Sequence, residues 1–132
     1  MAVTVNVYSK AKNGNVKLSK NFKVREFACS DGSDPVFISP KLVEVLQNIR
    51  DHFGKPVTIN SAYRTVTKNK QVGGATYSQH LYGTAADISV KGVLPSAVAD
   101  YAEKLLANYG GVGRYSTFTH VDVRETKSRW KG

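Results

Sequence analysis

Acidic residues are scarce in this 132-residue chain: 10 Asp and Glu stand against 19 Lys and Arg, a formal net charge of +9. That imbalance favours polyanionic partners, namely nucleic acid, anionic lipid or an anionic wall polymer. The lysines are scattered through the first 25 residues, positions 55–70 and the C-terminal tail, and no block of five like charges occurs. Charge therefore selects a class of partner without naming one. Cysteine is scarcer still. Cys29 stands alone, which excludes an internal disulfide. In FKVREFAC it reads as a small buried side chain, and no thiol-protease signature supports the alternative of a catalytic thiol paired with His52, His80 or His120. Long apolar runs are missing, and nothing approaches the roughly 20 residues that span a bilayer. The start, MAVTVNVYSKAKNGN, has neither the basic stretch nor the apolar stretch of a secretory signal. The expectation is a protein made in the cytoplasm without a signal peptide.

What is present suits one globular domain over residues 1–132, large enough for a core without disulfide staples. There is no repeat, linker or low-complexity segment. Residues 1–20 read as an N-terminal strand and turn extension: VTVNVY at 3–8 alternates like a strand, and KNGN follows as a turn. Ser39 and Pro40 open a helix whose apolar stripe is Leu42, Val45, Leu46, Ile49 and Phe53, and Gly54 ends it. His52, in its last turn, suits a surface or capping role. PVTINSAYR begins as a strand, and residues 67–79, rich in Lys, Asn, Gly and Ser, predict a long loop. TAADISV reads as a strand and Pro95 through Tyr109 as a second helix, with a face of Ser96, Ala97, Ala99, Ala102, Leu105 and Leu106. GGVGRY reads as a turn and TFTHVDVR as the final strand. The order predicts an α+β fold, with helices packed on a mainly antiparallel sheet.

Three residues stand out in this frame. His80 and Asp87 lie in SQHLYGTAADISV, and His120 lies in TFTHVDVR. Two histidines and a carboxylate can hold one zinc ion and leave a coordination position open. Strand alternation puts Val121 and Val123 on one face and His120, Asp122 and Arg124 on the other. It likewise separates Ala86, Ile88 and Val90 from Ala85, Asp87 and Ser89. If the two strands are neighbours, Asp87 and His120 meet across the sheet. The bland reading, a surface histidine and a lysine-paired aspartate, stays open on spacing alone.

SAYRT, VGGATYSQHLYGTAADI, GGVGRY, FTHVDVR and RW together resemble the zinc D-alanyl-D-alanine carboxypeptidase family of peptidoglycan peptidases, which includes bacteriophage endolysin endopeptidases. The resemblance runs from about Leu18 to Trp130. It implies a hedgehog/D-Ala-D-Ala peptidase-like fold, zinc held by His80, Asp87 and His120, and hydrolysis of amide bonds in peptidoglycan stem peptides or cross-links. It implies that Arg64 lies near the substrate carbonyl or carboxylate, a task suited to a permanently charged fork, with a structural ion pair as the alternative. Ser78 and Tyr115 are expected at the cleft, and Tyr63, Tyr77 or Tyr82 could join them. Release through phage- or lysis-mediated damage and action at the cell wall follow from the same resemblance; the charge of +9 suits binding to anionic wall polymers, and a monomer is expected. No specific nucleic acid is expected.

One part of the pattern is missing. Several branches of that family carry a Glu or Asp three residues before the last histidine, or a histidine two before it. Thr117 and Phe118 occupy those positions here. Asp122 is the nearest acid. It could act as the general base, orient a ligand from behind, or form a salt bridge with Arg124 or Arg64. The gap also leaves open a catalytically weak wall-binding or phage structural module of the same fold.

Overall fold

The computed structural model describes residues 4–132. Strand β1 (Asn6–Ser9) pairs antiparallel with β4 (Pro35–Ile38). The predicted strand over 3–8 thus begins at Asn6, and Val3 lies outside the described residues. KNGN is only partly a turn. Lys12 and Asn13 belong to the one-turn helix α1 (Lys10–Asn13), which Ser9 caps by accepting a 3.2 Å bond from the Lys12 amide. A short hairpin of β2 (Lys17–Ser19) and β3 (Phe22–Lys23) follows, then a 3-10 turn at Val24–Phe27 that buries Val24 and Phe27.

The main helix α2 (Pro40–Phe53) forms as its sequence predicts. Ser39 Oγ accepts from the Leu42 amide at 3.3 Å, Pro40 opens the first turn, and Gly54 closes the last at φ 63°. Leu42, Leu46 and Ile49 are fully buried. Each contributes about 2 kcal/mol of hydrophobic stabilisation. His52 is exposed and stacks on Tyr101 with ring centroids 3.7 Å apart, in keeping with a surface role. The second long helix, α4 (Pro95–Leu106), stops three residues before Tyr109 and buries Val98, Ala99, Ala102 and Leu106. Ser96 faces solvent, so the buried face is rotated from the small-residue face expected.

Five strands make the central sheet: β5 (Val57–Ser61), β6 (Ala85–Val90), β7 (Gly111–Arg114), β8 (Thr119–Asp122) and β9 (Ser128–Lys131). Their order is β5-β6-β8-β7-β9, antiparallel except for the β7–β9 pair. The fold is α+β as predicted. Two segments depart from expectation. GGVGRY supplies β7 instead of a turn, and TFTHVDVR is followed by another strand, β9. Helices α2 and α4 cover the sheet face that carries Ala86, Ile88, Val112 and Val121, all fully buried. The opposite face is left for polar groups.

Residues 67–79 are not one long loop. Helix α3 (Val66–Gln71) occupies their first half, capped by Thr65, whose hydroxyl accepts from the Lys68 amide at 3.1 Å. A 3-10 turn at Gln79–Tyr82 then leads into β6.

Candidate metal centre

One row of residues crosses the whole polar face of the sheet. The pairing register runs Ser61 to Asp87, Asp87 to His120, His120 to Gly113, and Gly113 to Trp130. Paired residues share a face, so all five side-chain positions point the same way. The expectation that Asp87 and His120 meet if their strands are neighbours therefore holds. Asn60 is the extra residue of a bulge in β5, between Ile59 and Ser61, and this shift brings Ser61 into the row.

His80 reaches the row from the 3-10 turn. Ser78 Oγ accepts from the His80 amide at 3.2 Å, which fixes the start of that turn. The His80 Nδ1–H donates to the Ala62 carbonyl at 2.6 Å, because a carbonyl can only accept. Nε2 is left facing Asp87 Oδ1 at 3.2 Å. His120 is oriented with comparable definition. Its Nε2 bonds Asp122 Oδ2 at 2.8 Å and its Nδ1 faces Asp87 Oδ1 at 2.9 Å.

These bonds bring three electron-rich atoms together. Ligand atoms of His80, Asp87 and His120 all lie within 4.8 Å of one another, and all three residues are buried. With His80 protonated on Nδ1 and His120 on Nε2, two lone pairs and a carboxylate converge. Such a cluster needs positive charge, from a proton on an imidazole or from a metal ion. The electrostatics of the buried groups run the same way. Burial opposes ionisation of Asp87, but His120 and His80, which donate to it when their rings are protonated, prevail and hold its carboxyl well below the usual range. Burial likewise disfavours the His120 cation, yet its bonds to Asp122 and Asp87 raise its pKa. Two nitrogens and an oxygen at this spacing fit the donor set of a zinc site with a position left open.

Asp122 lies at the other ring nitrogen of His120, away from the donor cluster. It is wholly buried, and both oxygens are engaged. Oδ1 accepts from the Gly111 amide at 2.9 Å and Arg124 Nε at 2.9 Å, while Oδ2 accepts from Arg124 Nη2 at 2.7 Å. Burial would raise its pKa, but the bonds from His120 and Arg124 outweigh that and hold it low. Asp122 meets the ring of His120 and, of the two arginines expected to pair with it, Arg124; no bond to Arg64 forms among the described residues.

Arg64 stands on the opposite side of Asp87. Its Nε donates to Ser61 Oγ at 3.1 Å, Nη1 to Asn69 Oδ1 at 3.3 Å and Nη2 to Asp87 Oδ2 at 3.4 Å. Asn69 is a buried side chain on α3, and its Nδ2 also donates to the Ala75 carbonyl at 2.8 Å. It thereby ties the 72–78 segment to the arginine. A cleft of about 400 Å³ opens above the row. Its lining includes Arg64, Ser78, His80, Asp87, Tyr115 and His120. Tyr63, Tyr77 and Tyr82 are not among the lining residues: Tyr63 stacks on Phe37 with centroids 5.1 Å apart, and Tyr77 and Tyr82 are exposed.

Sequence reasoning passed over Asn69, Ser61 and the glycines of β7. A Cβ at Gly111 would collide with the Asp122 carboxylate, and one at Gly113 would come within 2.6 Å of the Trp130 ring. The two glycines clear space for the groups behind and beside His120. The spacing Gly111-Val112-Gly113, with glycine on every second residue, was the signal: alternation marks one face of a strand.

Comparison with known proteins agrees with this geometry. The chain is 52% identical over 44 residues to the zinc D-Ala-D-Ala carboxypeptidase of Streptomyces albus G, a stretch covering 33% of this chain and 17% of that protein. It is 34% identical over 95 residues to the peptidoglycan L,D-endopeptidase MepK of Escherichia coli K12, covering 65% of this chain and 51% of the relative. A probable MepK from Haemophilus influenzae is 32% identical over 105 residues, covering 72% of this chain and 55% of the relative. The chain thus spans about half the length of the MepK relatives it matches. A family model matches residues 18–122, which hold the donor cluster, Arg64 and Asp122, and on that match this chain belongs to the Peptidase M15 family.

Proposed function

We propose that this protein is a zinc-dependent peptidase that hydrolyses amide bonds in peptidoglycan peptides. The convergence of His80 Nε2, Asp87 and His120 Nδ1 beneath an open cleft carries the reading. These three residues would hold the ion. Bound there, zinc would supply Lewis acidity toward a carbonyl oxygen and would lower the pKa of water to about 7. Arg64 faces the same cleft with a fixed guanidinium fork, suited to a substrate carbonyl or carboxylate. Ser78 and Tyr115 supply polar contacts along the wall. Asp122 accepts the His120 Nε2–H, which leaves Nδ1 free to act as a ligand; its enclosure favours this orienting role over that of a base.

The substrate class is supported by membership in the family and by the names of the relatives, one a carboxypeptidase and two L,D-endopeptidases. Both modes of attack fit an open cleft. Among the described residues, no helix is long and apolar enough to cross a membrane. Action at the bacterial wall as a monomer, reached after phage- or lysis-mediated release, with the net charge of +9 drawing the protein to anionic wall polymers, completes the reading.

One observation favours a second reading, a wall-binding module of the same fold with little turnover. Asp87 is the sole carboxylate among the residues lining the cleft, Thr117 is exposed, and Phe118 stacks on Tyr115. Incubation of the zinc-loaded protein with defined peptidoglycan separates the two. The peptidase releases new amino groups, and mass spectrometry of the fragments identifies the bond cut. His120→Ala and Asp87→Ala each abolish zinc binding and release. Full activity in a metal-free preparation would overturn the metallopeptidase, and zinc binding without release would favour the module.

A further inference from the structure

Tyr115 stands on the cleft wall with its ring stacked on Phe118, centroids 4.4 Å apart. Its hydroxyl receives a hydrogen bond of 2.9 Å from Trp130 Nε1. An indole N–H only donates, so this bond has one possible direction. The phenol oxygen is the acceptor, and its own proton must be given elsewhere. No other protein group among the described residues bonds that hydroxyl. The proton therefore has no protein acceptor among the described residues, and the residue that carries it lines the cleft.

The tryptophan behind it is well held. Its ring lies over Gly113, sits 4.9 Å from the His120 ring between centroids, and carries the Arg124 guanidinium 5.4 Å from its own centroid. The Tyr115 hydroxyl thus has an anchor that is itself packed against a member of the donor cluster. Meanwhile positions 117 and 118 offer the cleft no ionisable group. Amide hydrolysis places negative charge on the carbonyl oxygen as water adds, and a preorganised donor aimed at that oxygen lowers the barrier.

We propose that Tyr115 is a catalytic residue of this peptidase, donating its O–H to the carbonyl oxygen of the scissile amide as charge develops there, and that Trp130 is the positioning residue that directs it. The inference rests on the peptidase reading above. Tyr115 keeps its proton throughout. Water adds to the carbonyl carbon, the C–N bond breaks, and the amine leaves with the proton that water gives up. No further reactant is required.

The test compares zinc-loaded wild type, Tyr115→Phe, Trp130→Phe and the double variant on a defined peptidoglycan peptide. Tyr115→Phe is expected to lower kcat roughly 10²-fold, as loss of one oxyanion donor does. KM and zinc affinity should stay within about twofold, the pattern of an interaction made only in the transition state. Zinc affinity is read by competition with a fluorescent chelator, because Trp130→Phe and the double variant lack the only tryptophan in the chain. Trp130→Phe should cost roughly tenfold through misdirection of the hydroxyl, and the double variant should be no worse than Tyr115→Phe alone. A peptide phosphinate, whose tetrahedral centre mimics the charged intermediate, should bind Tyr115→Phe roughly 10²-fold more weakly than wild type. Tyr77→Phe, on a side chain 81% exposed and outside the cleft, serves as the control and should leave turnover unchanged. Unchanged kcat in Tyr115→Phe, a loss confined to KM, or a loss that follows zinc affinity would each overturn the role of Tyr115. A wild type that binds zinc but cuts nothing overturns the peptidase reading itself, and the two failures are thereby told apart.

Discussion

The donor cluster depends on which nitrogen of each histidine carries its proton. His80 is set by a backbone carbonyl and His120 by a carboxylate, so the two rings present different atoms, Nε2 and Nδ1, to the same place. The consequence is sharpest at Asp122. In Asp122→Asn the amide can turn an N–H toward His120 Nε2, and two donors would then face each other. The ring relieves this by moving its proton to Nδ1, which removes a ligand from the cluster. Asp122→Asn should therefore weaken zinc binding, by about 10- to 100-fold, the range measured when partners of ligating histidines are changed. Competition with a fluorescent chelator measures it. Undiminished zinc affinity with lost turnover would point instead to a base. The sequence shows that Asp122 shares a strand face with His120, but not which ring nitrogen it would meet, because that depends on a side-chain rotation.

Elements differ in how openly the sequence declares them. Helix α2 is legible because its cap, apolar stripe and terminal glycine agree. Strands β6 and β8 are legible because the two-residue period separates Asp87 and His120 from the apolar residues beside them. Strand β7 is hidden. Its glycines suggest a turn by composition, whereas packing requires them where Asp122 and Trp130 approach the backbone. Helix α3 is hidden for a different reason: its one buried residue is polar, Asn69, so it has no apolar stripe to detect. The end of α4 carries a third kind of concealed constraint. Ala107 adopts φ 55°, ψ −100°, a conformation that costs a residue with a Cβ energy. Ala107→Gly should raise stability by about 1 kcal/mol, seen as a higher Tm in thermal unfolding. An unchanged or lower Tm would show that the strain is relieved locally.

Across the whole molecule, charge and chemistry occupy different regions. Residues 10–25 hold Lys10, Lys12, Lys17, Lys20, Lys23 and Arg25 with no acidic residue among them. These side chains line two adjoining depressions that share Arg25, apart from the residues that line the cleft. If this surface holds the protein on an anionic wall, replacing Lys17, Lys20 and Arg25 by Gln should lower wall retention at low salt roughly tenfold. Turnover of a small soluble peptide should not change, and the difference in retention should fade at high salt. Co-sedimentation with purified walls checks it, and equal retention would locate the attraction elsewhere. The proposed chemistry instead draws on the row from Ser61 to Trp130, one residue from each strand of the sheet. Such a row is sensitive to spacing as well as to residue identity. Adding one residue to β6, β7 or β8 would turn its member of the row toward α2 and α4 and bury it, with every functional residue still present in the chain. Relatives in which this row is kept should therefore gain and lose residues between strands, as at 91–94 or 125–127, and not within them. In this sheet, among the described residues, the bulge at Asn60 already accommodates an extra residue, and there it brings Ser61 into line.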